Sequence, residues 1–315
     1  ILLIMKFYLK RLDLTFGFQS IPLSWMRSYL SGRSQLISFG GSNSKLETVC
    51  YGVPQGSVLG PLLFILYTAD VEKLIRTLHL SVHLYVDDTQ QYCSGKPCDL
   101  AILKQKTSQS VHQVSLWMAS NRLRLNAGQT ECIWFATARR QHLIDRISID
   151  LNSASITPSS SVRDLGVLLN SDMSMITHVN KVVSECFYKL RQIKSCRRCI
   201  PVSVATSLVN SFVVSKVDYC NALFASQPVF VIHRQQSVLN AAARLIYGVN
   251  RFDQISVIMR DELHWLRACE RIDFKLCLLV YKAIHGLAPD YTAEMCLPIG
   301  TVEARQRLCS STAGT

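Results

Sequence analysis

The chain has 315 residues, 49% of them apolar, and carries 34 basic against 22 acidic side chains for a formal charge of +12. That content is ample for a packed core, about two domains by length. No run approaches the ~18 consecutive apolar residues of a membrane span. Ile1-Leu2-Leu3-Ile4-Met5 is too short for one, and no small-residue cleavage site follows it, which argues against a signal peptide. The chain does not begin with Met, so a fragment of a longer protein is expected. The positive balance points to a polyanion, nucleic acid being the commonest, although charge alone leaves an ordinary basic protein as an equal reading. Twelve cysteines are scattered through the sequence. Cys186, Cys220, Cys269 and Cys277 lie in apolar runs, where a free thiol behaves as a small hydrophobe. Cys196-Arg-Arg-Cys199 has no second Cys/His pair at zinc-finger spacing, so a metal site there is disfavoured. A reducing compartment, nucleus or cytoplasm, is expected rather than secretion.

In chain order, residues 1–16 read as the end of a helix closed by Gly17, and Pro22 opens a second helical run through Trp25 to Leu30. Gln35 to Phe39 and Leu46 to Val53 read as strands around Gly40-Gly41-Ser42-Asn43. Val58 to Leu78 is a helix with Pro61 tolerated in its first turn. Ser81 to Val86 and Thr89 to Cys93 form a hairpin around Asp87 and Asp88. Leu100 to Arg122 is helical, Glu131 to Thr137 a strand, 153–161 a loop, and Val162 to Leu169 a strand containing Gly166. From Thr177 onward the pattern is helical, over 177–197, 201–215, 231–247 and 261–285. Mixed elements followed by helices alone predict an α+β domain and then an all-α domain.

Two adjacent carboxylates at a hairpin tip repel each other, and the turn lacks the Gly that a two-residue connection prefers. A cation would relieve the repulsion, and Mg²⁺, which takes carboxylate and phosphate oxygens, suits such a pair. On the dipeptide alone a solvated acidic turn is the stronger reading. Upstream, Tyr51-Gly52-Val53-Pro54-Gln55-Gly56-Ser57-Val58-Leu59-Gly60-Pro61 fixes a bent backbone just before a helix. There Gly56 permits close approach of a base, and Gln55 carries both donors and acceptors. An ordinary strand-to-helix turn is the plain alternative.

Val53-Pro54-Gln55-Gly56 followed by Tyr85-Val86-Asp87-Asp88 resembles the two downstream palm motifs of reverse transcriptases. Ser28-Tyr29-Leu30-Ser31-Gly32-Arg33-Ser34-Gln35 and Asn121-Arg122-Leu123-Arg124-Leu125-Asn126 narrow the resemblance to non-LTR, LINE-type retrotransposons of the CR1/L2/jockey-like group. So do Leu165-Gly166-Val167-Leu168, Asp218-Tyr219-Cys220-Asn221-Ala222-Leu223 and Asn240-Ala241-Ala242-Ala243-Arg244-Leu245. The resemblance runs from about residue 1 to about residue 298 and implies a partial polymerase palm, an antiparallel sheet with packed helices, over 1–175. An all-α thumb would follow over 176–315.

The activity implied is RNA-directed DNA polymerisation, with an RNA template, a DNA primer and deoxynucleoside triphosphates as partners and no membrane. Two Mg²⁺ ions about 3.5–4 Å apart, or Mn²⁺ in their place, would serve nucleotidyl transfer. By resemblance Asp87 and Asp88 are the catalytic metal ligands. Pro54, Gln55, Gly56, Ser57, Tyr85 and Val86 line the template and nucleotide pocket, and Leu165, Gly166 and Val167 form the primer grip. For the last segment a plain β-hairpin is the better reading without the family. Arg191, Lys194 and Arg198 share a helical stripe with Arg197 close by, beside a core side of Val183, Phe187 and Leu190. The stripe reads equally as a solvated face or as a clamp on phosphates.

Three departures stand out. The family's other metal-binding Asp lies in a segment ahead of the one resembling Ile1-Leu2-Leu3, so the chain is expected to extend no primer by itself. Gln129 stands where the family usually has a Lys able to protonate the leaving pyrophosphate, which Gln cannot do. Phe252-Asp253-Gln254-Ile255-Ser256 and Asp261-Glu262-Leu263-His264-Trp265 look like diverged thumb strings. The alternative expectation is a relic of such an element that binds nucleic acid or another protein without chemistry. The sequence leaves the oligomeric state open.

Overall fold

The structure is a computed structural model that describes residues 2–49, 52–53, 56–144, 148–151, 154–250 and 252–296. It is an α+β chain of helices and small antiparallel sheets in two compact units. The first is Ile1–Cys132 with His142–Pro158, the second Ile133–Gln141 with Ser159–Thr315. The expected boundary after residue 175 falls inside the second unit. No helix among the described residues is long and apolar enough to cross a membrane.

In the first unit α1 (Leu2–Phe16) ends where Gly17 takes φ +68 and its N–H donates to the Asp13 carbonyl at 3.1 Å. A left-handed glycine at that position is the usual way to stop a helix and satisfy its last carbonyls. α2 (Ser20–Leu30) follows. Next comes one exposed hairpin in two short ladders, β1 (Ser34–Gln35) with β4 (Glu47–Thr48) and β2 (Ser38–Phe39) with β3 (Ser42–Asn43). Its tip, Gly40-Gly41, has φ +55 and +79, as a type I′ turn demands.

α3 (Gly60–Thr77) carries Pro61 in its first turn and leads into β5 (Ser81–Tyr85) and β6 (Asp88–Tyr92). α4 (Leu100–Ser120) packs on α3, and β7 (Ile149–Leu151) pairs with β8 (Ala154–Ile156). Leu12, Met26, Leu30 and Leu63 form one apolar cluster, and Val71, Ile75, Leu80, Val82 and Val114 a second.

Between the two clusters lies Arg11, 9% exposed. It pairs with Asp70 at 3.0 Å, donates to the Tyr67 carbonyl and to Asn121 Oδ1 at 3.4 Å, and sits 5.7 Å from the centre of the Trp117 ring. One buried guanidinium thus ties α1 to α3 and to the end of α4. Burial pushes the phenol of neighbouring Tyr8 up to about 12, with Arg11 pulling the other way.

In the second unit β9 (Ser161–Asp164) and β10 (Val167–Asn170) form a hairpin that leads into α5 (Ile176–Cys196). α6 (Val202–Val209) passes through a π-turn at Asn210–Val214 into α7 (Ser215–Asp218). α8 (Val229–Tyr247), α9 (Ile255–Val257), α10 (Ala268–Ile284) and α11 (Asp290–Ala293) complete the unit. Ala242 and Ala243 on α8, both wholly buried, let α5 come close enough for Cys186 and Leu190 to enter the same core as Val209, Val213 and Ile246.

Several sequence expectations change. Among the described residues the strands form five separate two-stranded ladders rather than one antiparallel sheet, each strand pairing with a near neighbour in sequence. Glu131 to Thr137 is not a strand: Ala136 N–H donates to the Ser171 carbonyl at 3.0 Å, but no ladder forms. Within the expected 153–161 loop, Ala154–Ile156 is β8. The last long helix starts at Ala268 rather than 261, because His264 takes φ +53, which breaks the spiral. The Glu270 carboxylate then accepts from Arg267 N–H at 2.8 Å and caps the new start.

Candidate active site

The acidic hairpin is built on α3. Val71 and Ile75 on that helix, together with Val114, receive Leu80 and Val82, so β5 packs along α3 from its C-terminal turn. In the ladder Tyr85 faces Asp88, His83 faces Gln90 and Ser81 faces Tyr92. Side chains alternate across a strand, so these six share one face. The opposite face is the inner one: Val82 is buried, and Gln91 Oε1 accepts from the buried Ser110 hydroxyl at 2.6 Å. The outer face is exposed at Tyr85, Asp88, His83 and Tyr92. The last two stack with ring centres 5.5 Å apart and share a 3.1 Å hydrogen bond.

The two-residue turn is therefore Val86-Asp87, with Asp88 already on the strand. Val86 has φ +54. A β-branched residue in the left-handed region is strained, at a cost of about 1–3 kcal/mol, and such strain gathers at functional sites. Asp87 and Asp88 are exposed, and among the described residues no hydrogen bond or ion pair engages either carboxylate.

Of the upstream motif, Pro54 and Gln55 lie outside the described residues. Gly52 and Gly56 take φ +69 and +81, so both bends require glycine. A Cβ on Gly60 would lie 2.9 Å from Ser57 Oγ, which explains a third glycine. That hydroxyl is buried and has no partner among the described residues. Among the described residues no group of three His, Cys, Asp or Glu could hold a metal ion. Gln129 is occupied locally, its Oε1 accepting from Asn126 Nδ2 at 2.7 Å.

The remaining expected residues lie in the second unit. Leu165 and Gly166 form the tip of β9–β10 with φ +43 and +88, and Val167 is buried against Val179 and Phe224. The Tyr219 hydroxyl donates to the Leu165 carbonyl at 2.6 Å, and Leu168 N–H donates to His178 Nδ1 at 3.3 Å. Arg191, Lys194 and Arg198 are exposed. Arg197 is not available in the same way. Its guanidinium donates to the carbonyls of Ile246, Leu245 and Ile200, the Leu245 and Ile200 bonds measuring 3.1 and 2.9 Å, and so caps the end of α8. The spacing that grouped it with the stripe could not reveal this, because the two acceptors on α8 are nearly fifty residues away.

His83 and Tyr92 carried no role in the sequence reading. Their alternation with Tyr85 and Asp88 was the available signal.

A glycine-bent lead-in, a helix and a strained acidic hairpin follow one another in this order. Residues 8–169, just over half of the chain, match the reverse transcriptase (RNA-dependent DNA polymerase) family, and the chain belongs to that family. It is similar to the probable RNA-directed DNA polymerase from transposon X-element of Drosophila melanogaster, 25% identical over 252 residues, 77% of this chain and 27% of that protein. It is also similar to the RNA-directed DNA polymerase from mobile element jockey of Drosophila funebris, 24% identical over 50% of this chain and 17% of that protein. A third relative is the probable RNA-directed DNA polymerase from transposon BS of Drosophila melanogaster, 24% identical over 54% of this chain and 19% of that protein. The chain thus spans between about a sixth and a quarter of these relatives' lengths.

Proposed function

We propose that this chain is the carboxylate-hairpin and thumb portion of a LINE-type RNA-directed DNA polymerase, and that by itself it holds a primer–template without extending it. The observation that carries this is the Val86-Asp87 turn. A β-branched residue is held at φ +54 to display two carboxylates that nothing else in the described residues uses.

The donor set fits a divalent cation. Asp87 and Asp88 offer only hard oxygen ligands, the kind Mg²⁺ or Mn²⁺ takes together with phosphate oxygens. When bound, such an ion neutralises the phosphate charge that builds up as the primer hydroxyl attacks. The chain's own residues do the rest. Tyr85 and Asp88 share the outer face of the hairpin, where a primer end would lie. Among the described residues nothing lies within 4 Å of where a Cβ on Gly52 or Gly56 would stand, which leaves room for a base, while the Ser57 hydroxyl is buried beneath that turn. In this reading the β9–β10 turn supports the primer backbone, and Arg191, Lys194 and Arg198 meet phosphates. The partners are then an RNA template, a DNA primer and deoxynucleotides, in the nucleus or cytoplasm.

Of the two acids on α3, Asp70 is committed to Arg11 and Glu72 to Arg76. Two adjacent carboxylates on one tip do not surround two ions. The test is primer extension on an RNA template with Mg²⁺ or Mn²⁺, paired with duplex binding at two salt concentrations. The expected result is salt-sensitive binding and no extension. Extension that Asp87→Ala abolishes would overturn the inactive reading and keep the polymerase; no binding even at low salt would sink both.

A further inference from the structure

The helical unit carries an aromatic and cationic cluster on α5 and the π-turn. On α5, Gln192 lies four residues after Tyr188 and three after Lys189, so all three share one face. Its Nε2 donates to the Tyr188 hydroxyl at 3.0 Å and its Oε1 accepts from Lys189 Nζ at 3.2 Å. The ammonium is thereby held 5.6 Å from the centre of the Tyr188 ring and 5.9 Å from that of Phe212, which stands in the π-turn. Tyr188 is 52% and Phe212 47% exposed.

Phe212 also closes one end of an open groove of about 340 Å³ lined by Ser203, Val204, Ser207, Leu208 and Ser211. That is near the lower end of the range for small-ligand sites, about 300–1,000 Å³. The serines stand at i, i+4 and i+8 and the apolar residues at the same spacing one position on, giving a hydroxyl edge beside an apolar floor. Ser207 donates its own proton to the Ser203 carbonyl at 3.1 Å, so its oxygen remains an acceptor. Among the described residues no carboxylate lines the groove. A π-turn inserts an extra residue into the spiral, a distortion frequent at functional sites.

We infer that this face binds unpaired bases of single-stranded nucleic acid. The rings of Tyr188 and Phe212 offer stacking surfaces, and Lys189, with Arg191 exposed further along α5, offers charge for the flanking phosphates. Stacking of this kind accepts any base, because each has a π-face. A duplex hides those faces and leaves only phosphates, so the site discriminates strand state. A second copy of the chain is a poorer occupant, since copies with a formal charge of +12 repel. The choice of nucleic acid as occupant rests on the polymerase reading, and of the duplex-binding stripe only Arg191 is shared with this site.

The test is fluorescence anisotropy of the whole chain with a labelled oligo(U) RNA and with a duplex of the same length. Tyr188→Ala and Phe212→Ala are each expected to weaken oligo(U) binding about tenfold and to leave duplex binding unchanged. Tyr188→Leu and Phe212→Leu, which keep packing volume without a ring, are expected to match them, while Tyr188→Phe retains binding. Oligo(U) affinity unchanged in the Leu variants, equal loss on the duplex, or no oligo(U) binding by the wild type would each overturn the inference. Ring-dependent oligo(U) binding with no duplex binding would sink the primer–template reading alone.

Discussion

The Tyr219 hydroxyl donates to the Leu165 carbonyl across 2.6 Å, so a side chain just past α7 holds the tip of the β9–β10 hairpin. The same ring lies 3.8 Å from where a Cβ on Gly166 would stand. With Leu168 N–H on His178 and Asn170 Nδ2 on Ser174 Oγ (3.1 Å) and Thr177 Oγ1 (3.0 Å), the hairpin is fastened to the helical unit at its tip, middle and base. If that turn supports a primer strand, the helices set its position.

Tyr219→Phe removes this bond and keeps the ring contact. The hydroxyl is at the surface, so the expected loss is about 0.5–1 kcal/mol, the low end for one hydrogen bond. Amide exchange around Val167 should quicken while the α8 core stays protected. Unchanged exchange at the hairpin would mean the bond holds nothing.

His178 gives the hairpin a pH dependence. Burial lowers its pKa below the usual 6.5, Lys181 lowers it further, and Glu185 opposes them. The folded state favours the neutral ring, whose Nδ1 accepts from Leu168. At high pH the ring is neutral in both states. As pH falls through 6.5 the unfolded chain takes up the proton first, so stability declines until the lowered folded pKa is passed. Glu185, held down chiefly by its hydrogen bond to Lys216, acts in a more acidic window, below the ordinary carboxylate value. Urea midpoints between pH 8 and 5 should therefore fall more steeply for the wild type than for His178→Gln; equal slopes would exclude His178 as the source.

Arg11 ties three helices of the first unit together. Arg11→Leu leaves Asp70 without its buried partner and frees the Tyr67 carbonyl. Asp70 is one-third exposed, so water recovers part of the loss, and about 3 kcal/mol is expected, the lower end for breaking a buried pair. Denaturant midpoints of Arg11→Leu, Asp70→Leu and the double variant give the coupling. Additive losses would show that the pair itself contributes nothing.

The local signals in the sequence were strong where a residue type has few uses. Gly17, Gly40-Gly41 and Pro61 each marked a turn or helix start that the structure contains. The 3.6-residue pattern of α5 and α8 located both helices to within two residues, because a long buried stripe leaves little choice. Glu131 to Thr137 was misread because alternation says nothing about whether a partner strand exists. The acidic hairpin was legible as a hairpin, but its turn is shifted: Asp88 belongs to the strand and Val86 takes the strained position. The Arg11 hub and the Arg197 cap of α8 were invisible, since the acceptors on α3, α8 and past α4 lie about fifty residues or more away.

Val86 is the position where stability and function are expected to oppose each other. At φ +54 glycine pays no steric penalty, whereas valine loses about 1–3 kcal/mol there. Glycine also makes the unfolded chain freer, which returns up to about 1 kcal/mol. Val86→Gly should therefore raise stability by about 1 kcal/mol net, read as a higher denaturant midpoint. It should also loosen the tip, so that the carboxylates of Asp87 and Asp88 no longer hold one spacing. Mn²⁺ titrated into the chain and followed by electron paramagnetic resonance should then bind more weakly to Val86→Gly than to the wild type, with Asp87→Ala as the baseline. A variant that is less stable, or that binds Mn²⁺ equally well, would show that the left-handed valine serves no purpose at this turn.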